Sequence, residues 1–135
     1  MKLPISFTVP GHPVPFLVGV RHQTKKRREA YGEFCDRVRM FARLAGVQDI
    51  EITPEAPLHF HTRAFFKDRN HGDPENIHKG VVDAICYTAH GKSKKRDKYT
   101  GGAFSVPRYD KKEPRVEVVI ADGTLPLKET IPEGW

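Results

Sequence analysis

The sequence has few cysteines and no long hydrophobic run. Its two cysteines, Cys35 and Cys86, lie far apart and belong to no close-spaced Cys or Cys/His pattern, which argues against a disulfide scaffold or a cysteine-based zinc site. No segment approaches the roughly 20 apolar residues that a membrane-spanning helix needs. The N-terminal residues also lack the uninterrupted apolar core of a secretory leader. We therefore expect a reduced, cytoplasmic protein.

Basic residues outnumber acidic ones. Lys and Arg number 23 against 17 Asp and Glu, so the formal net charge is +6 with neutral histidine. This balance favours a polyanionic partner such as a nucleic acid. Many proteins that only bind RNA share it, so the charge does not distinguish an enzyme from a binding protein. The length of 135 residues suits one domain with a single modest core.

Hydrophobic periodicity predicts an α+β fold. Strands are predicted where apolar and polar residues alternate, and helices where apolar residues recur every three or four positions. The predicted strands cover residues 3–9, 57–67, 103–106 and 115–120, and the predicted helices cover residues 25–45 and a segment from 75 through 85. These elements predict a small mixed sheet with two main helices packed on it. We expect one domain over residues 1–122, followed by an irregular C-terminal tail over residues 123–135.

The second predicted strand carries two histidines on one face. His59 and His61 alternate with Leu58, Phe60 and Thr62, so both imidazoles are expected on the face opposite to those three residues. Two such histidines can ligate a metal, but the sequence offers no matching third ligand. A polar surface is the favoured interpretation.

Two basic runs are candidate contacts to a phosphate backbone. One stands at the entrance of the first predicted helix, and the other lies in a polar loop with too few apolar residues to hold structure by itself. The runs consist of Lys25, Lys26 and Arg27 and of Lys94, Lys95 and Arg96. Each is equally consistent with a solvated surface.

The second predicted helix begins at Asp73-Pro74-Glu75. Asp is a favoured N-cap, Pro is favoured at the first helical position, and an acid in the first turn suits the helix dipole, so the segment has a purely structural explanation. Carboxylates also hold Mg²⁺ through oxygen ligands, and a lysine one turn away can offset charge on a phosphate. Lys79 stands at that distance, although an acid beside a lysine is also an ordinary helical ion pair.

A polar face continues along the same helix. Asn76, Lys79 and Asp83 fall on one side, whereas the apolar residues fall on another. Further along the chain, Asp97 stands alone among the cations of the polar loop. It can join a metal site or simply dilute the positive charge of the loop, and its immediate neighbours favour the second role.

An ordered motif along this helix resembles the Asp-x-Asp-Asn-x-x-Lys-x-x-x-Asp-Ala-Leu signature of the RusA-type Holliday-junction resolvases. In this chain it reads Asp73-Pro74-Glu75-Asn76-Ile77-His78-Lys79-Gly80-Val81-Val82-Asp83-Ala84-Ile85. Three flanking segments agree with that family. Gly11-His12-Pro13-Val14-Pro15 is similar to its early Gly-x-Pro-x-Pro loop, Asp97-Lys98 to its later acidic site, and residues 114–120 to its closing strand. The resemblance extends over residues 3–120 and is most specific along the helix.

The resemblance implies a magnesium-dependent crossover junction endodeoxyribonuclease that acts in DNA recombination and repair. By position, it assigns the metal ligands to Asp73, Glu75 and Asp97 and the catalytic cation to Lys79. Mg²⁺ would be the cofactor, with Mn²⁺ able to replace it, and no small-molecule cofactor or membrane is implied. The supporting members of the motif would be Asn76 and Asp83. The substrate would be branched DNA such as a four-way junction, cut by a homodimer with two sites related by a two-fold axis to leave a 5′-phosphate and a 3′-hydroxyl.

The chain departs from the family pattern at three positions. Glu75 replaces the usual Asp, Arg96 precedes Asp97 where the family commonly has a second Asp, and Phe16 stands where a basic residue often follows the proline-rich loop. A weakened metal site would leave a binding protein for branched DNA or RNA with the same fold. Two other interpretations stay open: a nuclease for flaps, forks or RNA structures, and a ribosome-associated or other RNA-binding protein.

Overall fold

The computed structural model describes residues 2–16, 24–47, 52–86 and 96–135, with only the backbone described at residues 96 and 97. In chain order the strands and helices are β1 (Ile5–Pro10), α1 (Lys25–Leu44), β2 (Leu58–Phe66), α2 (Pro74–Cys86), β3 (Thr100–Phe104), β4 (Arg108–Tyr109), β5 (Arg115–Asp122) and α3 (Leu127–Thr130). A short 3-10 helix, Arg96–Tyr99, precedes β3.

The strands form one mixed five-stranded sheet. Its order is β1-β5-β2-β3, and β4 pairs with the last residues of β2 beyond the end of β3. Strand β5 is antiparallel to both β1 and β2, whereas β3 and β4 run parallel to β2. Parallel neighbours need a crossover connection, and α2 lies in the connection between β2 and β3. The residues that join β2 to α2 therefore leave the sheet beside β4.

The hydrophobic core lies between the sheet and the two long helices. Helix α1 packs on β1 and α2, and α2 packs on β2. The side chain of Thr24 accepts a 3.1 Å hydrogen bond from the Arg27 amide, which caps the start of α1. The core includes the fully buried side chains of Phe34, Val38, Phe60, Phe66, Ile77, Val81, Val116 and Ile120.

The α+β prediction is confirmed: a mixed sheet carries two main helices. The six predicted elements lie near their expected positions. The periodicity does not predict β4 or α3, because elements of two and four residues are too short to show a repeat. Since α3 lies within residues 123–135, the segment expected to be an irregular tail contains a helical turn. No helix in the described ranges is long and apolar enough to cross a membrane.

Candidate active site at the start of helix α2

The first two acids of the motif lie at the beginning of α2. The Oδ1 atom of Asp73 accepts a 2.9 Å hydrogen bond from the Glu75 amide, and the Asp73 carbonyl accepts one from the Ile77 amide at 3.1 Å. Asp73 therefore caps the helix, as its sequence context suggests. Both acidic residues are exposed. The cap uses one carboxylate oxygen of Asp73. This contact is compatible with a role of the same carboxylate as a metal ligand.

The proline-rich loop packs directly against this helix start. The Phe16 amide donates a 2.9 Å hydrogen bond to the Asn76 carbonyl. Pro15 lies so close to Gly72 that a Cβ on Gly72 would be only 2.6 Å from the Pro15 ring. Two segments about sixty positions apart in the sequence thus form one surface, and glycine at position 72 permits the close approach.

Lys79 projects from the exposed side of α2 beside the same loop. Its Nζ atom lies 4.5 Å from the centroid of the Phe16 ring, a cation–π contact. The Phe16 ring in turn meets Tyr31 of α1 edge to face, with centroids 5.8 Å apart. The aromatic residue that replaces a basic one after the loop therefore orients the ammonium of Lys79, one helical turn beyond Glu75.

The supporting motif residues face the protein more than the solvent. Asn76 is half-buried and its carbonyl holds the loop. Asp83 is also half-buried, near Tyr31 and Cys35 of α1. Burial raises the pKa of the Tyr31 phenol and of the Cys35 thiol, and the charge of Asp83 adds to both shifts. Asp83 thus belongs to the contact between the two helices.

The third acid of the expected metal site is described only in its backbone. Asp97 belongs to the 3-10 helix Arg96–Tyr99, and this helix packs against α2. The side chains of Arg96 and Asp97, and all of Lys94 and Lys95, lie outside the described residues. No group of three or more His, Cys, Asp or Glu residues suited to a metal ion occurs among the side chains that the structure describes. The convergence of the three acids stays a prediction.

The basic run at the entrance of α1 is exposed. Lys25, Lys26 and Arg27 occupy the first turn together with no acidic residue, and Glu29 forms an ion pair with Lys25 at 3.9 Å. Cations at the positive end of a helix dipole destabilise it mildly, and a bound anion reverses that effect. The arrangement is consistent with the predicted phosphate contact, which stays a prediction.

The expectation that His59 and His61 form a polar surface is wrong for His61, which is 1% exposed. The C-terminal segment covers this face of β2, and the Thr130 hydroxyl lies 2.8 Å from His61 Nε2 and 3.0 Å from His59 Nδ1. The Ala103 amide donates to His61 Nδ1 at 3.3 Å, so the proton of this imidazole lies on Nε2, which donates to Thr130. That tautomer leaves Nε2 without a lone pair for a metal, and burial lowers the pKa of His61.

Two further residues outside the motifs are in contact near the start of α2. The His71 imidazole precedes Asp73 by two positions, and its Nε2 lies 2.9 Å from the hydroxyl of Tyr109 on β4. The sequence carries no signal for this contact, because it depends on the register of a two-residue strand beside the end of β2. An exposed aromatic residue therefore lies within hydrogen-bond distance of the histidine that precedes Asp73 by two positions.

Comparison with known proteins yields no match, either to a protein-family model or to a curated protein. The resemblance to the resolvases therefore rests on the motif residues alone.

Proposed function

We propose that this protein is a magnesium-dependent, structure-specific endodeoxyribonuclease that resolves four-way DNA junctions. One observation carries the proposal. The proline-rich loop that ends at Phe16 is hydrogen-bonded to the helix that begins with Asp73 and Glu75, so two segments with family resemblance form one surface. That surface offers exposed carboxylates and a lysine one turn away, which are groups that metal-dependent phosphodiester hydrolysis can use.

The described donor set fits magnesium. Mg²⁺ prefers carboxylate oxygens and keeps several waters, so it needs few protein ligands and open access to solvent. Asp73 and Glu75 supply such oxygens from an exposed position. Asp97, in the 3-10 helix against α2, is the proposed third ligand. The longer side chain of Glu75 can reach outward from the helix by one additional methylene.

The chain's own residues would bind and orient the scissile phosphate. A bound Mg²⁺ supplies Lewis acidity toward the phosphate and lowers the pKa of a coordinated water. The Lys79 ammonium, oriented by its contact with Phe16, offsets negative charge on the phosphate oxygens as the bond to the leaving oxygen breaks. The Glu75 amide fixes one oxygen of Asp73, so this carboxylate is held in position before the substrate binds.

The proposed assembly is a homodimer. Resolution of a four-way junction requires cuts in two strands, and two copies related by a two-fold axis present two equivalent sites. The exposed cations at the start of α1 would contact the phosphate backbone outside the cut site, and so would the basic run Lys94, Lys95 and Arg96, for which the sequence predicts the same role. Recombination and repair are the processes in which such junctions arise.

The decisive experiment compares the wild type with Asp73→Asn on a synthetic four-way junction in the presence of Mg²⁺. Asn is as good an N-cap as Asp, so this change removes the charge and leaves the helix start intact. We expect cleavage by the wild type and at least about a hundredfold slower cleavage by the variant. Asp36→Asn is the matched control, because Asp36 is exposed on α1 and pairs with Arg39 three positions along the same helix.

A second candidate is a nucleic-acid-binding protein with a weakened metal site. The exposed, cation-rich first turn of α1 supports nucleic-acid binding whether or not catalysis occurs. Junction binding without cleavage by the wild type would favour this candidate, and cleavage that survives Asp73→Asn would reject the proposed site. Competition among four-way junctions, forks, flaps, linear duplex and structured RNA at one stated salt concentration identifies the preferred substrate.

A further inference from the structure

An aromatic stack leads from the core to the surface beside the acids. Phe66, at the end of β2, is fully buried. The His71 imidazole lies almost parallel to it, with ring centroids 4.0 Å apart and an interplanar angle of 13°. The Tyr109 ring follows at 5.5 Å from His71, tilted by 55°. Tyr109 is 51% exposed, which leaves the outer end of the stack open to a ligand.

Hydrogen bonds hold this stack in one orientation. The Nδ1 atom of His71 lies 2.7 Å from the Gly72 carbonyl oxygen, which can only accept, so Nδ1 carries the proton. In the neutral ring, Nε2 is then an acceptor, and the Tyr109 hydroxyl donates to it at 2.9 Å. The backbone is fixed as well, because the Asp110 amide donates to the Phe66 carbonyl at 2.8 Å. The exposed ring of Tyr109 is therefore pre-oriented.

Charges of both signs lie near the stack. The pKa of His12, in the proline-rich loop, is lowered by burial and by the nearby charge of Lys67, against an opposing contribution from Asp68. The loops that follow Phe66 and Tyr109 carry the exposed cations Lys67, Arg69, Lys111 and Lys112 and the acids Asp68, Asp110 and Glu113. An exposed aromatic ring among cations is the combination that binds unpaired or unstacked nucleotides, since every base has a π-face and every nucleotide a phosphate.

We propose that Tyr109 is a base-stacking residue that contacts a nucleotide at the branch point of the DNA, next to the phosphate presented to Asp73 and Glu75. The inference rests on the proposed function and adds a residue that selects which DNA structure the protein binds. In continuous duplex both faces of a base are covered by its neighbours, whereas a nucleotide at a branch point can expose one face. Tyr109 covers that face and so favours branched over linear DNA. His71 is a positioning residue that holds the phenol ring.

The test is a thermodynamic cycle between Tyr109→Ala and single abasic sites in a four-way junction. Binding is measured by fluorescence anisotropy in magnesium-free buffer, with an abasic site placed in turn at each nucleotide that borders the branch point. Stacking on one aromatic ring predicts about tenfold weaker junction binding by Tyr109→Ala. An abasic site at one of these positions should weaken junction binding by the wild type to a similar extent. The same abasic site should hardly change binding by Tyr109→Ala, because this variant already lacks the aromatic ring that stacks on the base.

Matched variants distinguish a loss of base stacking from a loss of folding. Tyr109→Phe keeps the ring and is expected to retain most of the affinity, including the sensitivity to the abasic site. Phe104→Ala removes another exposed aromatic residue, 46% exposed at the end of β3, and is expected to bind like the wild type. Tyr109→Leu keeps apolar volume without an aromatic face and replaces the alanine variant in the cycle if that variant does not fold.

The outcomes distinguish this inference from the proposed function. The stacking role would be overturned if every abasic site weakened junction binding by the wild type and by Tyr109→Ala to the same extent. This holds even where cleavage depends on Asp73. A Tyr109-dependent abasic penalty without Mg²⁺-dependent cleavage would support stacking and reject the nuclease. Failure of the wild type to bind the junction overturns both proposals.

Discussion

The Phe16 amide donates a 2.9 Å hydrogen bond to the Asn76 carbonyl, which joins the proline-rich loop to the first turn of α2. The same contact brings the Phe16 ring to Lys79. The loop therefore supports the candidate site without contributing an acid of its own. Changes in the packing of the loop should therefore affect both catalysis and stability.

Gly72→Ala tests this packing. The added methyl group would lie 2.6 Å from Pro15, so the loop must shift away from the acids. We expect cleavage to slow by about tenfold or more because the lysine and the carboxylates lose their relative positions, with a loss in the free energy of unfolding of about 1 to 3 kcal/mol. Single-turnover kinetics and urea unfolding measure the two effects.

Gly32→Ala is the control for that experiment. Gly32 lies in α1, and a Cβ there meets nothing within 4 Å. Alanine is the better helix former, so this variant should gain about 0.5 to 1 kcal/mol in stability and keep the wild-type cleavage rate. Equal cleavage rates in both glycine variants would contradict the role assigned to the loop.

Lys79→Met should slow cleavage with little effect on binding. The methionine side chain keeps much of the apolar stem but removes the ammonium near the phosphate, and loss of one such electrostatic contact typically costs about a hundredfold in rate. Lys128→Met, an exposed lysine on α3, is the matched control. A loss of affinity equal to the loss of rate would make Lys79 a binding residue instead of a catalytic one.

We expect the stability of the protein to depend on pH because of His78. Its Nδ1 lies 2.8 Å from the Thr62 hydroxyl between α2 and β2. Burial, with a smaller contribution from the charge of His61, lowers the pKa of His78 from 6.5 to about 4. Between those values the unfolded chain binds more protons than the folded protein, so stability falls as the pH is lowered.

For His78 alone this loss is about 3 kcal/mol across the whole window. Urea unfolding of the wild type at pH 7 and pH 5 should show the decrease, and His78→Asn should show a smaller one. Part of the pH dependence remains in the variant because burial also lowers the pKa of His61. An unchanged pH dependence in His78→Asn would show that this imidazole is not buried in its neutral form.

Glu117→Gln should destabilise the sheet near neutral pH. The Glu117 carboxylate accepts hydrogen bonds from Arg63 at 2.9 and 2.6 Å and from Arg115 at 3.1 Å. Burial alone would raise the pKa of Glu117, but these two guanidinium groups lower it below 4.5. The carboxylate therefore stabilises the fold above its unfolded pKa, and this stabilisation is lost as the pH falls through the folded pKa.

The amide of the variant keeps an acceptor but loses the charge, so we expect a loss of about 1 to 2 kcal/mol at pH 7. The difference from the wild type should shrink below pH 4. Glu113→Gln, in the exposed turn before β5, is the control and should change stability by no more than about 0.5 kcal/mol. A similar loss in both variants would contradict the role of the half-buried ion pairs that Glu117 forms with Arg63 and Arg115.

The candidate site is partly predictable from local sequence. The start of α2 at Asp73-Pro74-Glu75 follows from capping preferences, and the helical repeat puts Lys79 one turn beyond Glu75. These are relations between residues a few positions apart, which the geometry of one helix fixes. The predicted convergence with Asp97 is of another kind, because it requires a second element to fold back against the first.

By itself, the sequence determined the main elements of this protein: two amphipathic helices, four strands and an acidic helix start. Only the tertiary structure decided that His61 is covered by Thr130, that Pro15 lies on Gly72, and that Tyr109 meets His71. The reason is physical. Side-chain periodicity is local and repeats within each element, whereas contacts between distant residues depend on strand register and on the path of loops, which no local repeat encodes.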